Sequence, residues 1–167
     1  MLGKLAVDFK GIISEPVLRG KKVIGYGLRM IGYTDLHIFA HVDICSDQRL
    51  GDFGIDLTPF DMAADYIEKI MAHHPQLFVI DEIGVVEHAA RCYKRAINRV
   101  LDSPVPTLFV VQKRSSFLAE CQKRDDVVLF ELLDNSFVLE QHLFGLLKEI
   151  TDTDSRIHGK GRCRQKV

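Results

Sequence analysis

Two adjacent acids, Asp81 and Glu82, stand at the end of a continuous apolar run, Leu77 to Ile80. Such a run is typical of a strand buried on both faces in a parallel sheet, and ligands of open α/β sheets bind outside the carboxyl ends of the strands. There an aspartate can hold a magnesium ion, directly or through water, and a neighbouring glutamate can polarise an attacking water molecule. Neighbouring residues of a strand point to opposite sides, so the two acids are expected to differ in role. The structural alternative is that acids at a strand end cap the following helix.

Basic and polar residues near other predicted strand ends are candidates for nucleotide contacts. Lys113 and Arg114 follow a predicted strand, Arg19 and Lys22 flank a predicted turn, and Asn135 follows the last predicted strand. Cationic side chains at these places could meet phosphate oxygens, and an amide could touch a base. The alternatives are a solvated loop, a charged hairpin surface and a helix cap, respectively.

The elements that would position these residues alternate from Thr58 onward. A Thr-Pro helix start is followed by apolar residues at helical spacing, and short apolar runs separate the later helical patterns. The predicted helices are Thr58 to before Pro75, Val86 to Leu101, Ser115 to Lys123 and Asn135 to Ile150; the predicted strands are Leu77 to Ile80, Thr107 to Val111 and Val127 to Glu131. Thr58, Ser115 and Asn135 are the candidate N-caps of their helices. This order predicts an α/β fold with a mainly parallel sheet covered by helices.

The first third of the chain has a different pattern. Branched and aromatic residues in two runs around a Gly-Tyr-Thr-Asp turn predict an antiparallel hairpin. The predicted elements are a helix end at Leu2 to Val7, short strands at Gly11 to Ser14 and Val17 to Arg19, hairpin strands at Val23 to Ile31 and Leu36 to Val42, and a loop at Asp43 to Asp56.

Length and composition fit one domain, predicted to span residues 1–150. The chain has 167 residues, of which 47% are apolar and 27% charged, with a net charge of −1. This charge gives no overall attraction to nucleic acid or membrane, and no apolar run reaches transmembrane length. Nor does the N-terminus have the pattern of a signal peptide, so a cytoplasmic location is expected. The tail at residues 151–167 is expected to be disordered, with a basic arm for phosphates as the alternative.

The four cysteines give no metal motif. Cys45, Cys92, Cys121 and Cys163 are widely spaced and form no Cys-x-x-Cys pair. Structural thiols in a reducing compartment are the simplest interpretation, because a zinc site needs clustered ligands.

Three segments resemble the small P-loop nucleoside-triphosphatase family first described in thermophiles. Val79 to Glu87 (VIDEIGVVE) is similar to its second nucleotide-site signature, the Walker B segment with Asp-Glu-Ile-Gly. Gly11 to Glu15, with the following Arg-Gly-Lys-Lys and Gly-Tyr, is similar to its Gly-Phe-x-Thr-x-Glu region, and Asp126 to Glu131 is similar to its last parallel strand. The similarity extends over roughly residues 2 to 150.

The resemblance implies a role for each matched residue. Asp81 would position magnesium, Glu82 would orient the attacking water, and Glu87 would brace the turn, unless it is only a first-turn acid favoured by the helix dipole. Ser14 stands for the family's threonine and keeps the hydroxyl, whereas Lys22 stands near an arginine whose forked contacts it cannot reproduce. The implied ligands are ATP or GTP, with magnesium as cofactor.

One part of the family pattern is missing from the sequence. No Gly-x-x-x-x-Gly-Lys-Ser/Thr loop occurs, although that loop holds the phosphates and its hydroxyl binds magnesium. The expected fold therefore lacks the first strand and the phosphate loop, and this polypeptide is expected to be inactive. Three explanations remain open: a chain truncated at its start, a degenerate relative, or a protein partner that supplies the strand and the loop.

Two further functions are alternatives to magnesium-dependent hydrolysis of nucleoside triphosphates. A non-catalytic domain that binds a nucleotide or a protein would explain the missing loop. An unrelated hydrolase using carboxylates or a cysteine is the other, but no residue beside Cys92 or Cys121 marks either thiol as activated.

Overall fold

The computed structural model describes residues 8–84, 86, 89–131, 141 and 143–149. The strands are β1 Phe9–Arg19, β2 Lys22–Met30, β3 Leu36–His41, β4 Arg49–Leu50, β5 Phe53–Ile55, β6 Leu77–Ile83 and β7 Thr107–Val111. The helices are α1 Thr58–Met71, α2 Arg91–Leu101 and α3 Ser116–Cys121, and residues 143–149 are also helical. Within these ranges no helix is long and apolar enough to cross a lipid bilayer.

All seven strands form one mixed sheet with the order β4-β5-β3-β2-β1-β6-β7. β1 is the junction between its two halves, because it pairs antiparallel with β2 and parallel with β6. β7 then adds to β6 in parallel. The predicted α/β class, with a parallel part and an antiparallel N-terminal hairpin, is confirmed.

The predicted hairpin is present as the antiparallel pair β2 and β3, and β1 adds to it as a third antiparallel strand. The two short strands expected around Pro16 are one strand, β1, with a register shift between Val17 and Leu18. β1 and β2 are joined through Gly20, which has a φ of 64°. A two-residue hairpin turn requires positive φ, which glycine adopts without strain. The segment predicted as a loop before α1 contains the short β4-β5 hairpin.

Helices α1 and α2 cover one face of the sheet and enclose the main core. Phe60 of α1 and Tyr93 of α2 are almost fully buried with their ring centroids 5.3 Å apart, and both belong to a cluster with Phe78 and Ile80 of β6. Burying an aromatic or large aliphatic side chain contributes about 1.5–3 kcal/mol. The continuous apolar run of β6 is thus explained by burial on both faces, since Leu77 and Val79 pack on the opposite face with Leu147.

The start of α1 differs from the prediction in detail. Thr58 is the first helical residue rather than the cap, and the N-cap residue, Leu57, makes no side-chain bond. Instead Asp56 Oδ1 accepts a hydrogen bond of 2.9 Å from the backbone N–H of Thr58. The prediction that Ser115 caps α3 is confirmed, because its Oγ accepts from the backbone N–H of Phe117.

The predicted third buried strand, Val127 to Glu131, is wrong. These residues have no strand conformation, and Val128, Leu129 and Phe130 are exposed by 66%, 49% and 39%. An apolar run becomes a strand only when a neighbour takes its backbone hydrogen bonds, and the described part of the chain provides no such neighbour here. α2 also begins at Arg91, later than the predicted Val86.

Several predictions lie outside the described residues. These are the helix end at residues 2–7, the roles of Glu87 and Asn135, and the basic tail at residues 151–167. Of the predicted last helix, only residues 141 and 143–149 are described, and they are helical.

Candidate active site

Asp81 and Glu82 lie at the carboxyl end of β6, between two parallel neighbours. Asp81 is opposite Ile13 of β1 on one side and Val110 of β7 on the other. The register with β7 then shifts, so that Ile83 is the next residue opposite β7. Glu82 therefore has no partner residue in β7. The peptide bond between Asp81 and Glu82 is cis.

The local packing separates the two acids. Strand alternation places Asp81 on the face of Leu77 and Val79, where Leu147 packs. Ile80 and Ile83 both belong to the main core on the other face. Strand alternation alone would put Ile80 and Ile83 on opposite faces. They share a face because Glu82 is an extra residue at the register shift.

The environment of Asp81 favours a bound cation. Burial raises the pKa of its carboxyl group, and the neighbouring charge of Glu82 raises it further. No described cationic side chain forms an ion pair with Asp81. A partly buried carboxylate without a compensating charge fits a divalent cation, which would remove the repulsion between the two acids.

Asp81 and Glu82 would give a bound metal ion only part of its ligands. Among the described residues no group of three or more His, Cys, Asp or Glu side chains could hold an ion. Magnesium is usually held by one or two carboxylates, keeping several waters and taking phosphate oxygens from the substrate. Asp81 and the adjacent Glu82 could supply the one or two carboxylates of such a site.

Ser14 is the nucleotide-contact candidate of β1 that lies near the acids in the sheet. It follows Ile13, the β1 partner of Asp81, at the point where the parallel pairing of β1 with β6 ends. The next residue, Glu15, is not free for a ligand, because it forms a two-pronged ion pair with Arg29 at 2.6 and 2.9 Å. The Arg29 hydrogen bond lowers the pKa of Glu15.

Arg19 and Lys22 are far from the acids. β1 continues from Ile13 to Arg19, which at 3.3 Å per residue is roughly 20 Å beyond the residue opposite Asp81. The Arg19 guanidinium lies 3.7 Å from the Asp43 carboxylate. Lys22 is exposed and is the β2 residue paired with Arg19 at the end of the hairpin. The structure therefore does not bring this basic pair to the acidic pair.

Lys113 and Arg114 do lie at the same edge of the sheet as the acids, separated from the end of β7 only by Gln112. The two side chains differ in whether they already form an ion pair. Lys113 is ion-paired with Glu131, whose pKa it lowers, whereas Arg114 is exposed and makes no hydrogen bond or ion pair with a described residue. Of the two, Arg114 has the side chain available to an anionic ligand.

Gln112 was not singled out from the sequence, but it lies at the site. Its backbone N–H donates to the carbonyl of Ile83 at 2.9 Å, and its side-chain amide lies over Gly84. Its position immediately before Lys113 and Arg114, at the end of a predicted strand, was the signal that could have identified it.

A cavity of about 90 Å³ lies at the opposite edge of the sheet, between the ends of α1 and α2. Met71, Arg99 and Val105 are among its lining residues, and the Arg99 guanidinium is ion-paired with Glu68. It is separated from Asp81 by the length of β6 and plays no part in the acidic site.

Comparison with known proteins gives consistent relatives. The family model described as NTPase matches residues 1–139. Nucleoside-triphosphatase THEP1 of Thermotoga maritima is 26% identical over 132 residues, covering 78% of this chain and 75% of that protein. Nucleoside-triphosphatase THEP1 of Methanopyrus kandleri is 26% identical over 125 residues, covering 73% and 68%.

The fold comparison agrees with the sequence comparison. The crystal structure of THEP1 from Aquifex aeolicus superposes with a TM-score of 0.72 at 19% identity, covering 84% of each chain. At that identity the likeness concerns the fold, whereas the family match rests on sequence over most of the chain. This chain therefore belongs to the NTPase family, the small nucleoside-triphosphatase family indicated by its Asp-Glu-Ile-Gly segment.

Proposed function

We propose that this chain carries the metal-binding and water-activating half of a magnesium-dependent nucleoside-triphosphatase site. The observation that supports this most is the acidic pair at the carboxyl end of β6, flanked by parallel β1 and β7, in a chain of the NTPase family. Ligands of open α/β sheets bind at this edge. The substrate is a nucleoside triphosphate, ATP or GTP.

Each residue has one task in this proposal. Asp81 holds the magnesium ion, directly or through a water, and bound magnesium would neutralise charge on the phosphate oxygens. Glu82 orients the attacking water and accepts its proton. Ser14, next in β1 to the partner of Asp81, and Arg114, in the segment after β7, contact phosphate oxygens.

The phosphate-holding half of the site must come from elsewhere, since the printed sequence has no Gly-x-x-x-x-Gly-Lys-Ser/Thr loop. The free edge of β7 is the place to receive it. All five residues of β7 are partly exposed, and among the described strands β7 pairs only with β6. A strand added there in parallel would end at the same edge as Asp81, and its following loop would lie beside the acids.

The test is a phosphate-release assay on the full chain with magnesium and ATP or GTP. The chain alone should release little phosphate. Addition of a peptide that contains an apolar strand followed by Gly-x-x-Gly-x-Gly-Lys-Thr should produce turnover, and Glu82→Gln should reduce that turnover by about a hundredfold or more. Glu120→Gln, which removes only the surface ion pair with Lys94, is the control and should keep the activity.

Two results would overturn parts of the proposal. Strong turnover by the chain alone that Glu82→Gln abolishes would show catalysis without the loop. Failure of every loop-bearing peptide to bind or to restore turnover would remove the proposed partner.

The missing loop also favours a second candidate, a non-catalytic domain that binds a nucleotide or a protein. This alternative predicts nucleotide binding at best weakly and no turnover with any loop-bearing peptide. Calorimetric titration with magnesium-ATP and magnesium-GTP, run beside the assay, separates the two functions.

A further inference from the structure

The residue after the acidic turn, Gly84, is in unusually close contact with the end of β7. A Cβ atom at Gly84 would lie 2.7 Å from Oε1, 2.8 Å from Cδ and 3.0 Å from Nε2 of Gln112. All three distances are shorter than ordinary van der Waals contact, so the whole amide plane of Gln112 lies over the backbone of Gly84. Because these atoms are the far end of a flexible side chain, a side chain at position 84 would push the amide away.

Gln112 also holds the backbone of Ile83, the residue before Gly84. The Gln112 N–H donates to the Ile83 carbonyl at 2.9 Å, beyond the register shift that leaves Glu82 without an opposite residue. Glu82 is therefore fixed through its neighbours, with Asp81 in the ladder before it and Ile83 and Gly84 held by Gln112 after it. A residue in a bulge depends on such flanking contacts for its direction.

Gln112 is an exposed residue, and its amide makes no hydrogen bond to a described side chain. A surface glutamine without a partner normally samples many rotamers. In the structure this amide instead lies against Gly84.

We propose that Gln112 is a positioning residue for Glu82: its side-chain amide, seated on Gly84, fixes the backbone that directs the water-activating carboxylate. This inference rests on the proposed function for its catalytic meaning, but the contact itself can be tested without activity. Gly84→Ala should displace the Gln112 amide, because the end of a flexible side chain can move away from a new methyl group.

The experiment is two-dimensional NMR of the ¹⁵N-labelled full chain. Gln112→Ala should shift the backbone amide signal of Glu82 and speed its hydrogen exchange by about tenfold. Gly84→Ala should shift that signal in the same direction, and the double variant should add nothing further, because both changes remove one contact. Gln112→Met, which keeps the length of the side chain, should preserve most of the protection.

The matched control is Gln122→Ala, the same chemical change at an exposed glutamine after α3. It should leave the Glu82 signal unchanged. An unchanged Glu82 signal in Gln112→Ala, or strictly additive effects of the two variants, would overturn the proposal.

The activity readout separates this inference from the proposed function. In the complex with a loop-bearing peptide, Gln112→Ala should lower kcat about tenfold or more with a smaller change in KM, since a slightly misplaced group lowers the rate of the chemical step. If the NMR effects appear but no complex shows turnover, the proposed function fails while the positioning contact stands. If turnover appears and Gln112→Ala leaves kcat intact, the positioning role fails.

Discussion

At the scale of single residues, Asp81 carries the most unfavourable charge of the site. Burial and the neighbouring Glu82 raise its pKa, so its ionised form is less stable in the folded chain than in the unfolded one. This destabilisation of the folded state is absent below the unfolded pKa of aspartate, and it is fully present above the raised folded pKa of Asp81. The site thus holds charge at the expense of stability, as sites for cations do.

We therefore expect Asp81→Asn to stabilise the metal-free protein at neutral pH. The melting temperature should rise by about 2–4 °C at pH 7, because a partly buried charge and its repulsion with Glu82 are both removed. The gain should shrink as the pH falls through the raised pKa of Asp81, where the wild-type carboxyl group becomes neutral. Thermal unfolding in chelator from pH 7 to pH 3 measures this, and a gain independent of pH would contradict the assignment.

Gly11 is the residue on which the parallel part of the sheet depends. Its φ is 152°, and a Cβ there would lie 1.9 Å from the carbonyl oxygen of Val79, its partner in β6. Gly11→Ala should therefore reduce the free energy of unfolding by about 3 kcal/mol or more, measured by urea titration. Gly145→Ala, at a helical glycine with open space around it, is the control and should not destabilise the chain.

At the scale of elements, the β1-β2 hairpin is stabilised by the ion pair between Glu15 and Arg29. Arg29 also donates to the Thr34 carbonyl, so a single guanidinium connects β1, β2 and the turn after β2. Arg29→Lys should lower the melting temperature by about 2 °C at pH 7, because lysine cannot make the fork.

The pH dependence of that change is defined by Glu15. Since its pKa is lowered by Arg29, the ion pair contributes stability above the unfolded pKa of glutamate, and the contribution is lost as the pH falls through the lowered folded pKa. The difference between Arg29→Lys and wild type should shrink in acid below that point to the contribution of the Thr34 carbonyl contact. Arg49→Lys, at an arginine bound only to the Asp52 carbonyl, should show no such pH dependence.

Sequence patterns correctly predicted those elements that depend mainly on their own residues. The apolar run of β6 and the Ser115 cap of α3 needed only their own residues, so both could be identified from the sequence. Val127 to Glu131 has an equally apolar pattern, but a strand depends on a neighbour that the pattern does not reveal. The contact of Gln112 with Gly84 was missed for a related reason, since it joins two separate strand ends.

At the scale of the whole molecule, apolar surface is concentrated beyond β7. Val128, Leu129 and Phe130 follow α3 and are exposed, and the ion pair of Glu131 with Lys113 brings this segment near the end of β7. A free strand edge near exposed apolar residues promotes pairing with other chains.

Leu129→Lys should therefore reduce association of the isolated chain. Light scattering across a concentration series should show a lower average mass for Leu129→Lys than for wild type, with the melting temperature almost unchanged. Leu18→Lys, at a similarly exposed leucine (57%) in β1, is the control for hydrophobicity alone. An equal reduction by both variants would show that the β7 edge has no special role.

The length of β1 affects access to the acidic pair. Because β1 and β2 continue past Asp81 toward Arg19 and Lys22, they extend along one side of the carboxylates. In the proposed complex, the nucleotide and an added strand would therefore share the flank of β7. We expect ordered binding there: the nucleotide would bind before the strand, and the strand would have to separate before the products leave.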